Sequence, residues 1–189
     1  MSQIYFTPID SKKHLVIVSD DIQIRRKIEF KFIKDGLDKK ELSIYLTHGN
    51  VKQIEKEMMF FGIDVDFYKK KELLKIEHIG NPAEESSDFM DAVQSKIRML
   101  LPTHLIPFRI VGRAIPNVGT EIAMAIQSRW EEILHNVIFD KLTGSILCTY
   151  DLSQIRENNN WVSWLDRLKE NHHSCMICQH GKCVITENC

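Results

Sequence analysis

Apolar and polar positions follow two alternating periodicities along the chain. Short continuous apolar runs are typical of buried parallel strands. Residues 14–18 contain such a run, and largely apolar segments at residues 42–46, 108–111 and 145–150 also predict strands. Other segments repeat apolar side chains every three or four positions, which predicts amphipathic helices over residues 22–34, 51–61, 120–136 and 161–170. This alternation predicts an α/β fold with a mainly parallel sheet and helices on both faces.

Local signals refine the boundaries of these elements. Asp35-Gly36 is a plausible end of the first helix, and Asn50 can cap the second, which ends at Gly62. Short extended pieces are expected at residues 65–68 and 74–79. Residues 81–87 are the most loop-like stretch, and a helix is expected over residues 89–101.

The turn after the first strand lacks the chemistry of a phosphate-binding loop. Such a loop needs glycines and a Lys-Ser/Thr pair, whereas Ser19, Asp20 and Asp21 follow this strand. Two carboxylates would repel phosphate, so no nucleotide is expected. Asp20 and Asp21 could form a metal or acid–base pair, but capping of the next helix is favoured because helix N-termini stabilise carboxylates.

Composition and charge exclude several classes of protein. The chain has 189 residues, 43% hydrophobic and 27% charged, as in a soluble globular protein of one domain. A net charge of −1 argues against a nucleic-acid partner. Neither a membrane-spanning apolar run nor a secretory signal is apparent. Four of the five cysteines fall in the tail, which does not suit a secreted disulfide framework, so a cytoplasmic location is expected.

Polar side chains follow the predicted strands at their carboxyl ends. In an open parallel sheet, ligands bind beyond these ends, so a small-molecule site is expected there. The candidates are Ser19, Asp20, His48, Arg113, Tyr150 and Asp151. For Tyr150 and Asp151 a structural hydrogen bond is at least as good an explanation, and His48 could simply belong to a turn.

The Cys/His-rich tail, residues 172–189, carries the sharpest chemical signal. Cys175 and Cys178 have C-x2-C spacing, and with Cys183 and His180 they could complete a tetrahedral zinc site. His173 or Cys189 could replace His180, and Cu(I) or an iron–sulfur cluster could replace zinc. Two further interpretations stay open: a thiol redox switch, or a strand pair joined at His180-Gly181 with cysteines as small buried hydrophobes.

Several blocks of the sequence together resemble a known family. They are HLVIVSDD, IKDGLDKKELSIYLTHGNVKQIEKEMMFFGID, FRIVGR, RWEEIL and SILCTYDLSQI. Over roughly residues 14–172 the chain is similar to the MEDS domain, a sensory module of methanogen and methylotroph proteins that includes the sensing region of the regulator DcmR. The resemblance implies a RecA/KaiC-like three-layer fold without the nucleotide loop, and a signal-sensing, ligand-binding role. It assigns no catalytic residue.

These observations predict a single sensory α/β domain over residues 1–189, with the short Cys-rich tail added as a β-type extension. The expected function is non-catalytic: a small ligand binds at the strand ends, and the tail contributes zinc or thiol chemistry. The expected partners are that ligand and a signalling protein, and a homo-oligomer could form. A divergent nucleotide-binding or metal-dependent enzyme and an assembly subunit without a ligand are the alternatives.

Overall fold

The computed structural model describes residues 12–81 and 107–187, together with Asp91 and Ser95. The strands in these ranges are β1 (His14–Ser19), β2 (Leu42–Thr47), β3 (Leu74–His78), β4 (Phe108–Val111), β5 (Ser145–Asp151), β6 (Ser174–Gln179) and β7 (Lys182–Glu187). The α-helices are α1 (Ile22–Asp38), α2 (Val51–Phe60), α3 (Val65–Lys70), α4 (Glu121–Ile133), α5 (Leu152–Arg156) and α6 (Trp161–Glu170).

The strands form one sheet in the order β3-β2-β4-β5-β1-β6-β7. Every neighbouring pair is parallel except β6 and β7, which are antiparallel. The carboxyl ends of β1, β2, β4 and β5 therefore lie along the same edge of the sheet. The predicted mainly parallel α/β fold with a Cys-rich β-type tail is confirmed.

Helices cover both faces of the sheet. Side chains alternate along β1, so Leu15 and Ile17 pack with α1, α2 and α3 on one face. Val16 and Val18 pack with α4, α5 and α6 on the other face. We call these the α1 face and the α4 face. The two hydrophobic cores hold the sheet between two helical layers, because the central strands β1, β2, β4 and β5 bury both of their sides.

Side-chain caps mark where the helices begin. The Asp21 carboxylate accepts hydrogen bonds from the backbone N–H groups of Gln23 and Ile24 at the start of α1. Asn50 caps α2 in the same way, as predicted, and Thr120 caps α4. The capping interpretation of Asp21 is therefore confirmed.

Two local predictions were wrong. Helix α1 continues through Gly36 to Asp38. A side chain on Gly36 would clash with the Arg109 side chain, which lies 2.7 Å from an added Cβ, so this position needs glycine. Glycine thus allows close packing there and does not end the helix. Residues 65–68 are helical instead of extended, since Asp64 caps α3. The predicted loop over residues 81–87 and helix over residues 89–101 fall largely outside the described residues.

Helix α4 ends in an unusual way. Its last turn passes into a π-type turn, Leu134–Ile138, and then a 3₁₀ turn, Phe139–Lys141, before β5 begins. These turns lead the chain back to the sheet and place His135 beside the start of β1, with ring centroids of His135 and His14 5.7 Å apart. Within the described ranges, no helix is both long and apolar enough to cross a membrane.

Candidate functional sites

A polar cavity of about 110 Å³ lies at the carboxyl ends of β2, β4 and β5 beneath α1. Two of the predicted ligand-binding residues, His48 and Arg113, line it. Its other lining residues are Arg25, Arg26, Glu29, Tyr45, Leu46, Thr47, Gly112 and Thr149. We call it the strand-end cavity. It holds three arginines but one carboxylate, so its charge favours an anionic ligand.

The Arg113 guanidinium is held by backbone carbonyls. It donates to the carbonyl oxygen of Thr149 at 3.1 Å and to that of Pro116. Burial lowers the pKa of Arg113, but a guanidinium remains charged at neutral pH. Carbonyl partners orient this cation without neutralising it.

The two other arginines of the cavity share acidic partners. Arg26 Nη1 lies 2.9 Å from Glu29, and Arg25 Nη1 lies 3.6 Å from Asp151. Burial raises the pKa of Glu29, while the positive charges of Arg26 and Arg25 oppose that rise. The Tyr45 hydroxyl also donates to Glu29 at 2.5 Å. These contacts form a connected, charged wall along α1.

The remaining predicted ligand-binding residues are not brought to the cavity. Ser19 bonds to the backbone of Asp21 within the β1–α1 turn, and the Asp20 carboxylate accepts from the backbone N–H of His180 at 3.1 Å. Asp151 caps α5 and reaches the cavity only through its ion pair with Arg25. The Tyr150 side chain is fully buried on the α4 face.

The tail folds as a β-hairpin, and its four predicted metal ligands do not meet at one point. Cys178 and Cys183 are joined by a disulfide across β6 and β7. Cys175 is packed on the α4 face, whereas Cys178 lies on the α1 face. His180 is exposed at the turn, with φ of 50°. Of these four residues, the structure brings together only the disulfide pair. Cys189 lies outside the described residues.

Sequence reasoning missed a buried polar cluster on the α4 face. It consists of His14 at the start of β1, Glu131 on α4, Cys148 on β5 and His172 before β6, each at most 3% exposed. One ligand atom from each lies within 4.8 Å of the others, so this cluster could hold a metal ion. We call it the His-Glu-Cys-His cluster.

Glu131 lies at the centre of this cluster. Its Oε2 is 3.3 Å from His14 Nε2 and 3.4 Å from His172 Nε2, and the Cys148 thiol donates to it at 3.3 Å. Its Oε1 accepts from Gln127 Nε2 at 2.8 Å and from the Tyr150 hydroxyl. One carboxylate thus organises five side chains between α4 and the sheet.

The cluster shifts the ionisation of its members. Burial alone raises the pKa of Glu131, but hydrogen bonds from His14 and His172 outweigh it and hold that pKa well below its usual range. Burial, followed by the charge of His172, lowers the pKa of His14 to about 3. Burial raises the pKa values of Cys148 and Tyr150, and the nearby Glu131 charge adds to both shifts. Among the described groups, a buried carboxylate therefore faces a neutral ring and a neutral thiol.

The sequence held one weak signal for this cluster. His14 begins an apolar strand, and Glu131 follows Trp130 on the inward side of a helix, where a carboxylate is rarely buried without a partner. Cys148 and His172 are distant from them in sequence, so no local spacing connects the four.

Comparisons with known proteins place most of the chain in one group. Residues 13–172 match the family model described as MEDS, the methanogen/methylotroph, DcmR sensory domain. All four residues of the His-Glu-Cys-His cluster and the whole strand-end cavity lie within the matched range, whereas the tail hairpin follows it. No curated protein matches the chain.

Proposed function

Because the chain belongs to the MEDS family of sensory domains, we propose that it is a non-catalytic cytoplasmic sensor that binds a small anion in the strand-end cavity. The single observation that carries this proposal is the Arg113 guanidinium. It is half-buried, oriented by carbonyls of Thr149 and Pro116, and lines a cavity where cations outnumber carboxylates. An oriented guanidinium binds carboxylate or phosphate through two parallel hydrogen bonds.

The size of the cavity limits the ligand. About 110 Å³ accommodates a ligand of a few non-hydrogen atoms, well below the roughly 300–1,000 Å³ of sites for drug-sized molecules. A nucleotide would extend well beyond its walls. The β1–α1 turn also supports this view, since Asp21 is engaged as a helix cap and Asp20 contacts the tail hairpin. The ligand class favoured here is a short carboxylate or inorganic phosphate.

The tail is better suited to thiol chemistry than to zinc. Cys178 and Cys183 are already bonded to each other, and a reducing compartment would keep them as thiols until an oxidising signal arrived. Reduction by a cellular dithiol breaks the S–S bond, yields two cysteine thiols and leaves the dithiol oxidised. Burial raises the pKa of Cys175 to about 11. Little of this thiol is therefore ionised at neutral pH, and it is a poor nucleophile for thiol–disulfide exchange. The output of the sensor would be a changed surface offered to a partner protein.

The anion proposal is tested by binding. We expect inorganic phosphate or a short mono- or dicarboxylate from a defined panel to raise the melting temperature in proportion to its affinity. Replacing Arg113 by Lys keeps the charge but removes the planar fork, and we expect it to weaken binding at least about tenfold. Isothermal titration calorimetry measures both affinities.

The control is Arg129→Gln, which removes an exposed arginine on α4 whose partner is Glu132. It should bind the anion as the wild type does. If no member of the panel stabilises the protein, or if Arg113→Lys and Arg129→Gln weaken binding equally, the cavity is not the ligand site.

A further inference from the structure

We propose that the His-Glu-Cys-His cluster binds one divalent transition-metal ion of the zinc type, enclosed between α4 and the sheet. The ligands are His14 Nε2, Glu131 Oε2, Cys148 Sγ and His172 Nε2. This site goes beyond the sensory proposal above, because it lies on the α4 face and shares no side chain with the strand-end cavity.

Four of the six separations between the ligand atoms fit a tetrahedral ion, and the other two are at most 4.8 Å. Metal–nitrogen and metal–oxygen bonds of about 2.0–2.1 Å and a metal–sulfur bond of about 2.3 Å place tetrahedral ligands about 3.3–3.6 Å apart. The contacts of Glu131 Oε2 with His14, His172 and Cys148 are 3.3, 3.4 and 3.3 Å, and Cys148 Sγ is 3.4 Å from His14 Nε2. An ion can therefore be accommodated with little movement of the backbone.

The hydrogen bonding of His172 prepares it as a ligand. Its Nδ1 lies 2.6 Å from the carbonyl oxygen of Leu168, and a carbonyl can only accept, so Nδ1 carries the proton. In the neutral ring, Nε2 then directs a lone pair at the Glu131 carboxylate 3.4 Å away. Two electron-rich atoms in this arrangement repel each other unless a cation lies between them, and that cation is either a metal ion or the proton with which His172 hydrogen-bonds to Glu131. A ring N–H bonded to a backbone carbonyl is also how metal-binding histidines are commonly oriented.

Hydrogen bonds to the second oxygen of the Glu131 carboxylate fix its orientation. Gln127 and Tyr150 both donate to Glu131 Oε1, which leaves Oε2 directed at the two histidines and the thiol. Gln127 is fixed in turn, since its Oε1 accepts from the backbone N–H of Ile115 at 2.8 Å. Partners of this kind orient a ligand and raise metal affinity.

Charge balance and ligand type favour zinc. A divalent ion with the Glu131 carboxylate and the Cys148 thiolate forms a neutral unit, which is far less costly to bury than a lone carboxylate. On binding, the ion displaces the thiol proton, so the products are a metal–thiolate bond and one released proton. Two imidazoles and a thiolate select zinc or a similar ion over Mg²⁺ and Ca²⁺.

The surroundings of the cluster support the same conclusion. The four protein ligands complete a tetrahedron and leave no open position, which is typical of structural rather than catalytic zinc sites. The π-type turn Leu134–Ile138 begins three residues after Glu131, and such turns often occur at functional sites.

The metal proposal is tested by metal content in a background without the hairpin thiols. The Cys178→Ser/Cys183→Ser protein, purified without chelator, should contain about one zinc per chain by plasma mass spectrometry. Adding Cys148→Ser or His172→Gln should remove most of that zinc. Adding Cys175→Ser should not, because Cys175 is a buried thiol on the same face but outside the ligand set.

A second measurement needs no variant at the site. Zinc-edge X-ray absorption of the full chain should show one sulfur and three nitrogen or oxygen ligands. After exchange of zinc for Co²⁺, a thiolate-to-cobalt charge-transfer band should appear, and it should survive Cys175→Ser.

Three results would overturn the metal site. The first is a folded protein that takes up neither Zn²⁺ nor Co²⁺. The second is an absorption spectrum with several sulfur ligands, which would place the ion at the tail cysteines. The third is a thiolate-to-cobalt band that persists in Cys148→Ser. None of them depends on whether an anion binds at Arg113, so this proposal and the sensory proposal fail separately.

Discussion

At the scale of single residues, His48 connects the strand-end cavity to the dependence of stability on pH. Its two ring nitrogens face the carbonyl oxygens of Ile79 at 2.9 Å and Arg113 at 3.2 Å. Burial is the main reason that the pKa of His48 is lowered, and the charges of Arg113 and His78 add to it, while the two carbonyls oppose it. The folded protein therefore takes up this proton less readily than the unfolded chain.

From this shift we predict a loss of stability in acid. Above the unfolded pKa of about 6.5, His48 is neutral in both states, so it does not change the free energy of unfolding with pH. As the pH falls below that value, the unfolded chain binds the proton first, so the free energy of unfolding decreases until the folded pKa is reached. His48→Gln should reduce this decrease. Urea unfolding of both proteins between pH 5 and pH 8 measures the difference.

The other histidines with lowered pKa values are common to both proteins in that comparison, so their contribution cancels. Equal pH dependence in wild type and variant would show that the pKa of His48 is not lowered by folding. An NMR titration of the His48 ring gives an independent check.

Residue spacing explains why the tail could be recognised from the sequence as a candidate metal site and the His-Glu-Cys-His cluster could not. Cys175 and Cys178 are three apart, which attracts attention as a metal motif. In a strand, however, residues i and i+3 point to opposite faces, so β6 separates these two thiols. The ligands of the His-Glu-Cys-His cluster come from four separate elements, and only the order of strands in the sheet brings them together.

At the scale of elements, the hairpin of β6 and β7 is the part most dependent on a covalent link. β7 is an edge strand that pairs only with β6 among the described strands, and most of its side chains are exposed. The disulfide closes a short loop, for which the chain-entropy relation gives about 2 kcal/mol. Its reduction should weaken the hairpin and leave the rest of the sheet intact.

We therefore predict that a dithiol reductant lowers the hydrogen-exchange protection of the β7 amides by about 2 kcal/mol, because opening of the hairpin becomes easier. Protection of β1 and β5 should not change. The Cys178→Ser/Cys183→Ser protein is the control, since it should resemble the reduced wild type and show no response to reductant. A β7 that keeps its protection after reduction would contradict this prediction.

The main elements could be predicted from sequence because they follow simple periodicities. The strands β1, β2, β4 and β5 are short and largely apolar segments, and α6 was predicted with the bounds that the structure shows. Helix α3 was missed because Val65 and Phe67 alternate with polar residues as in a strand, whereas the Asp64 cap and packing decide the outcome. Gly36 was misinterpreted because its role is a contact with Arg109, which is remote in sequence.

At the scale of the whole molecule, Tyr150 lies between the two proposed sites. Its ring is 6.0 Å from the Arg113 guanidinium, and its hydroxyl donates to Glu131 in the cluster. The neighbouring Thr149 provides the carbonyl that holds Arg113. A shift of β5 would consequently change the contacts of Arg113 on one face of the sheet and of Glu131 on the other.

We predict that the two sites are thermodynamically coupled. The anion should bind zinc-loaded and zinc-free protein with different affinity, by a factor in the usual range of about 5–150, and the anion should alter zinc affinity by the same factor. Tyr150→Phe keeps the ring beside Arg113 but removes the hydrogen bond to Glu131, so it should reduce this factor. Calorimetric titrations of each ligand in the presence and absence of the other measure it.

Equal anion affinities with and without zinc would mean that the sites are independent. A factor that differs between the two directions would indicate that the titrations do not report the same equilibrium, because linkage requires reciprocity.

The alternation of side chains along β5 has a consequence for how this protein can change during evolution. Cys148 and Tyr150 point to the α4 face, and a single inserted or deleted residue before them would reverse which side chains face each layer. That one event would remove Cys148 and Tyr150 from the cluster and displace Thr149 from the cavity. The exposed turn at His180-Gly181 lies outside both hydrophobic cores, so a change of length there would not reverse the two faces of β5.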